Sequence, residues 1–237
     1  MASKQQSILH VVMLLTVFVS CGGRNEPVSP EEHESRSVEL DKAERVRAVI
    51  KMAFGELNVR GGSDKLLDAN FTYGDAALKP DVQYRSGDAA GDLTIETRAG
   101  SRSGGGLKNR WDLRLNEHVP VDLRVEFGAG EADMNLGSLN MRSAEVMMGA
   151  GTLRLDLRGK PTKDYSVRVT GGAGEATVYL PNDVGVSAKA SGGLGEVSVR
   201  GLHKSGESYR NDAWDRAAVR IRLDIQGGVG SIKLISE

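Results

Sequence analysis

One cadence constrains this chain more than any other feature. An alternating strand runs into Gly-x-Gly, a polar residue follows, and alternation resumes. The copies are Gly128-Ala129-Gly130-Glu131, Gly149-Ala150-Gly151-Thr152, Gly172-Ala173-Gly174-Glu175, Gly193-Leu194-Gly195-Glu196 and Gly228-Val229-Gly230-Ser231. A degenerate copy stands at Ala53-Phe54-Gly55-Glu56. From Gly130 to Gly195 the second glycines are spaced 21, 23 and 21 residues apart, the length of one coil in a stacked repeat.

Apolar residues before each corner fall at every second position: Val121, Leu123, Val125 and Phe127; Ala144, Val146 and Met148; Val167 and Val169; Val184, Val186, Ala188 and Ala190; Val219, Ile221, Leu223 and Ile225. After the corner the period is still two, but its parity has moved by one: Ala132, Met134 and Leu136; Leu153, Leu155 and Leu157; Ala176, Val178 and Leu180; Val197 and Val199; Ile232 and Leu234. A single parity change inside a two-residue period means that the strand bends while the same side stays inward. The second glycines, Gly55, Gly130, Gly151, Gly174, Gly195 and Gly230, are therefore structural corners needing positive φ or close backbone approach.

Two architectures fit that pattern. Each Gly-x-Gly could turn an antiparallel hairpin in a sandwich or barrel, or it could mark the same corner in successive parallel coils. Like residues at like positions, Leu153 with Ala132 and Val178 with Val199, favour coils in register. The expected fold is all-β, a single-stranded parallel β-solenoid with coils of about 21 residues.

Between the first two corners the pattern is less regular. Leu66 to Tyr73, Val82-Gln83-Tyr84, Leu93-Thr94-Ile95 and Trp111 to Leu115 read as strands, with a Gly/Ser-rich loop near 99–110. A second lateral insertion covers 201–215. Asp64 to Ala69 offers the best helix in a chain that otherwise shows none.

The amino-terminal end carries an address. Ile8 to Val19 is mostly apolar but too short to span a bilayer as a mature helix, so residues 1–20 read as a signal peptide. Cys21 is the sole cysteine and follows small Ser20, making it the expected lipidation site; plain secretion is the alternative. Residues 21–43, with Pro27, Pro30 and several glutamates, read as a lipidated flexible tether, and 44–237 as the solenoid domain. Gly22 rather than Asp after the cysteine favours an outer membrane in a cell with two.

Charge excludes one class of partner. Lys plus Arg number 31 against 32 Asp plus Glu, so no general basic field attracts nucleic acid. The histidines, His10, His33, His118 and His203, lack zinc spacing. Glu56, Glu131, Glu175 and Glu196 share one place after the corner; Glu175 and Glu196 could converge on a cation, although solvated turn residues explain the row as well. No catalytic motif, metal set or cofactor loop is expected, since no Gly-x-Gly runs into a helix or a Lys-Ser/Thr pair. Trp214, Tyr209 and Arg210 in the late insertion form a candidate partner surface, with a core-capping tryptophan as the other reading. Arg158, Lys160, Lys163, Arg200 and Lys204 read as a solvated rim.

Gly55-Glu56-Leu57-Asn58-Val59, Leu66 to Tyr73 and Trp111 to Asn116 resemble the toast-rack proteins, and the tail, Tyr179 to Val186, Gly193 to Val197 and Arg222 to Gly230, is similar to the carboxy-terminal pattern of LiaF-type proteins. The toast-rack family is related to the soluble part of LiaF-type cell-envelope stress regulators and to adhesin-like β-solenoids. The resemblance implies an exported bacterial envelope protein without catalytic residues. LiaF-type regulators add transmembrane helices and act on a sensor kinase, whereas no apolar run after the signal is long enough to cross a membrane. The expected role is non-enzymatic: a lipid-anchored solenoid that contacts an envelope protein or cell-surface polymer, with stress-signalling accessory as the alternative.

Overall fold

Strands account for nearly all the regular structure in the computed structural model, which describes residues 31–87, 89–97 and 108–237. In chain order they are β1 (Glu32–Val38), β2 (Arg45–Ser63), β3 (Leu67–Tyr73), β4 (Pro80–Ser86), β5 (Ala90–Thr97), β6 (Asn109–Asn116) and β7 (Val121–Asn135). There follow β8 (Met141–Asp156), β9 (Tyr165–Leu180), β10 (Gly185–Arg200), β11 (His203–Ser205), β12 (Ser208–Arg210) and β13 (Arg220–Ser236). A short 3-10 turn at Ala76–Leu78 is capped by the Asp75 carboxylate, which accepts from the Ala77 N–H at 2.7 Å. The stretch from Asp64 is no helix: its alternating apolar side chains enter β3, where period two buries Leu67, Ala69, Phe71 and Tyr73 on one face.

All thirteen strands join one mixed sheet, a solenoid-like all-β fold. The long strands β2, β7, β8, β9, β13 and β10 each run unbroken through a corner, Ala-Phe-Gly in β2 and Gly-x-Gly in the others, and pair parallel with their neighbours in that order. The parity change is visible in the burial: β7 alternates buried and half-buried as far as Phe127, exposes Gly128 and Ala129, then buries Ala132 and Met134. The inward residues of both arms of the bend form one core. Within it Trp111 and Phe71 meet edge to face, with ring centroids 5.6 Å apart.

The corners stack in register: Gly55 opposite Gly130, then Gly151, Gly174, Gly230 and Gly195. A β-carbon on Gly130 would lie 2.1 Å from the Gly55 carbonyl oxygen, and φ there is 127°. Both the backbone conformation and the neighbouring coil exclude a side chain.

The stacking order departs from the sequence expectation. β13, last in the chain, lies between β9 and β10, so Val178 and Val199 each pair with Leu234 instead of with one another. Leu153 does pair with Ala132. Charge offers a physical reason. Across the outward face the register reads Arg124, Glu145, Arg168, Asp224, Lys189, alternating in sign at every step. Chain-order stacking would set Arg168 beside Lys189, and like charges directly opposed in a sheet are destabilising.

Antiparallel strands finish the ends. β5 continues one arm of β2 and carries β4, whereas β6 continues the other arm and carries β3 and β1. Glu32–Val38 thus belongs to the sheet, although its composition reads as tether. An edge strand needs no apolar residues when its backbone is paired. Here the Ser35 hydroxyl also donates to Asn70 and the Ser37 hydroxyl to Asp68, both at 2.7 Å. The expected loop near 99–110 lies largely outside the described residues, and the insertion at 201–215 folds as the β11–β12 hairpin and a turn.

Candidate functional site

Asn211 fastens the insertion to the sheet. This buried side chain accepts from the Val186 N–H at 2.9 Å and donates to the carbonyls of Val184 at 2.7 Å and Pro181 at 3.2 Å. β12 pairs with Ser187 and Ala188 of β10, and the turn from Asn211 to Ala217 raises Trp214 beside the outward face. Arg220 fixes it there, its Nε donating to the Trp214 carbonyl at 3.1 Å.

Three guanidinium groups surround the indole. Arg210, Arg220 and Arg222 lie 5.1, 5.6 and 5.7 Å from its ring centroid, within reach of a cation–π contact. Trp214 and Arg210 line an open groove of about 550 Å³ across β8, β9, β13 and β10. Its floor and walls hold four cations, Arg168, Lys189, Arg210 and Arg222, against two carboxylates, Glu145 and Asp224. Ser143, Ser166 and Ser187 add hydroxyls along a neighbouring register row.

Several of these groups have spare hydrogen-bonding capacity. Glu145 is held by Arg124 at 2.6 Å and Lys189 by Glu207 at 3.2 Å, while Arg222 meets Asp164 at 3.6 Å. The Arg168 side chain makes no hydrogen bond or ion pair among the described residues, its backbone being paired in the sheet. The Nε of Arg210 is buried without a partner. A desolvated guanidinium donor left unpaired is costly.

Of the expected partner residues, Trp214 and Arg210 belong to this groove. Tyr209 stands on the same strand, half-buried and packed against the core. Arg222 escaped sequence reasoning because it reaches the groove only through β13 entering between β9 and β10, and the alternating signs of Arg168, Asp224 and Lys189 were the one signal of that order. Trp111 is wholly buried, its Nε1 donating to Asn109 at 3.0 Å, and is a core residue.

The glutamate row does not converge as chain-order stacking would have it. Ser231 lies between Glu175 and Glu196 in the register, and Arg110 pairs with Glu56 at 3.1 Å. Among the described residues no group of three His, Cys, Asp or Glu side chains could hold a metal ion. His33 contacts the Thr72 hydroxyl at 3.1 Å, and His203 faces Asp212 at 3.5 Å. At the rim, Arg158 is engaged with Asp156 and Glu237, both at 2.6 Å, and stacks on Tyr179. Cys21 and His10 lie outside the described residues, and no described helix is long and apolar enough to cross a membrane.

The fold has relatives. A candidate cell-adhesion protein from Clostridium sporogenes is 32% identical, with 88% of this chain and 100% of that chain covered at a TM-score of 0.84. A candidate adhesin from Bacteroides fragilis is 12% identical over 88% of this chain and 98% of its own, with a TM-score of 0.32. No functionally curated protein matches the chain. The family model described as the N-terminal domain of toast_rack, DUF2154, matches residues 27–179, so that it takes in β1 through most of β9. With more than half its length so matched, this chain belongs to the toast-rack family.

Proposed function

We propose that this protein is a non-enzymatic, lipid-anchored component of the bacterial cell envelope that uses its sheet to contact an acidic protein or cell-surface polymer. The observation that carries this reading is the groove beside Trp214, where Arg168, Lys189, Arg210 and Arg222 outnumber the carboxylates and the buried Nε of Arg210 has no partner. Rigid parallel coils of about 21 residues, stacked as a solenoid, suit presentation of such a surface. The 32% identical relative is named for cell adhesion, which supports a contact role.

In this reading the first 20 residues direct export, Cys21 carries the lipid and residues 22–31 link it to β1, with the outer membrane favoured where there are two. Cys21→Ala should release the protein from membranes and abolish lipid labelling; membrane attachment without labelling loss would refute the anchor. In the Cys21→Ala background, where no lipid holds the chain, binding to isolated envelopes should fall with Trp214→Ala, Arg210→Ala and Arg222→Ala, and with added salt. Undiminished binding in all three variants would remove the groove from the proposal.

The alternative is an accessory role in envelope stress signalling, favoured by the likeness of the glycine-rich tail to LiaF-type regulators. Deletion should then alter the stress response and crosslinking in cells should recover a sensor kinase.

A further inference from the structure

The bent sheet is closed off at three of its four arm ends. β5 and β4 extend one arm beyond β2, and β6, β3 and β1 extend the other. At the opposite end β12 covers Ser187 and Ala188 of β10, but Glu196 to Arg200 carries no strand on its outer side among the described residues. Its inward residues Val197 and Val199 are only half-buried, whereas their register partners Ile232 and Leu234 are 4% and 0% exposed. The core is thus open along this edge. Unpaired backbone beside apolar side chains is a template for another strand.

We propose that this edge pairs with the same edge of a second copy of the chain, antiparallel about a two-fold axis through Ser198. A two-fold strand pair must be self-complementary, because each residue meets its counterpart reflected through the axis. Reading outward from Ser198, the flanking residues are Val197 and Val199, then Glu196 on one side and Arg200 on the other. Each valine therefore meets the partner's other valine, and each Glu196 meets the partner's Arg200. A shift by one residue would send the valines to the outer face. Centring on Val199 instead would carry pairing past Gly201, where φ is 73° and β10 has ended.

Arg200 is available for this pairing. It is 73% exposed and only 3.5 Å from Glu237, whose carboxylate Arg158 already holds at 2.6 Å. β1 makes a poorer edge: it has no apolar residue before Val38, and Glu34 is tied to Arg36 and Lys79.

The test uses the full chain with Cys21→Ala, which removes its one native thiol. Adding Ser198→Cys should give a disulfide-linked dimer on oxidation, since directly opposed antiparallel residues lie roughly 4.5–5.5 Å apart at Cα, within disulfide reach. Glu196→Cys alone should not crosslink, and Glu196→Cys with Arg200→Cys should. Arg200→Glu, which sets carboxylates together twice, should weaken the sedimenting dimer roughly tenfold. Adding Glu196→Arg should restore it. A Ser198→Cys chain that stays monomeric, as when a foreign strand or the chain's own amino-terminal segment occupies the edge, overturns the proposal. Crosslinking of Glu196→Cys as strong as that of Ser198→Cys, or failure of the charge exchange to restore the dimer, overturns it equally.

Discussion

The carbonyl oxygen of Gly151 lies 1.8 Å from the point where a β-carbon on Gly174 would stand. No side-chain rearrangement can relieve that overlap, because both partners are backbone. Gly174 also has φ at 134°, a region costing other residues about 1–3 kcal/mol. Gly174→Val is expected to destabilise the fold by about 3 kcal/mol or more in urea unfolding. Gly171→Ala provides the contrast: the nearest atom to its added β-carbon is 4.0 Å away, and a loss under about 1 kcal/mol is expected.

Asp224 separates Arg168 from Lys189 across the outward face. Asp224→Lys would place three cations in consecutive register positions. A loss of about 1 kcal/mol is expected, and it should shrink as salt is added, which denaturation at low and high ionic strength would reveal. Asp224→Asn should lie between the two.

Asn211 satisfies one N–H and two carbonyls that the insertion would otherwise leave buried. Asn211→Leu keeps similar bulk and removes all three bonds. A stability loss of about 2–4 kcal/mol is expected, together with a change in the emission of half-buried Trp214. The emission of Trp111, far inside the core, should change little.

Acid should loosen β1 through Asp68. The hydroxyls of Ser37 and Ser63 donate to its two carboxylate oxygens, each at 2.7 Å, and hold its pKa below the ordinary aspartate value against a smaller opposing effect of burial. A carboxyl with a lowered folded pKa stabilises the fold above its unfolded pKa, about 3.9, and loses that contribution as pH falls through the folded value. Protection of the β1 amides, exchange being taken relative to the unstructured rate at the same pH, should therefore fall below about pH 4. Asp68→Asn should be less stable near neutrality and show a flatter acid limb.

Local periodicity carried much of the fold. The corners, the arms and the inward residues were legible because each depends on a two-residue period and one parity change within a single strand. Stacking order was not, because Val178 is as good a neighbour for Val199 as Leu234 is when only size and hydrophobicity are weighed. The deciding information lies in outward charges: Arg168 and Lys189 conflict, and Asp224 reconciles them. β1 was obscured for a different reason. His33, Ser35 and Ser37 have polar side chains suited to a tether, and their order comes from backbone pairing and hydroxyl bonds to β3. The groove shares the ambiguity of the stacking, for Trp214 and Arg210 are close in sequence while Arg222 reaches them only through the placement of β13 beside β10.

The final strand of the chain is an interior strand of the sheet. All of β10 is synthesised before the strand it must lie against exists, so that edge waits unpaired until Arg220–Ser236 arrives. A product cut short before Arg220 would lose both ladders of that strand at once, leaving β9 with an open edge and β10 held only by β12 and Asn211. Order along the facing edges of β9 and β10 is thus set by one late segment, Arg220–Ser236, and not by either strand's own neighbours in sequence.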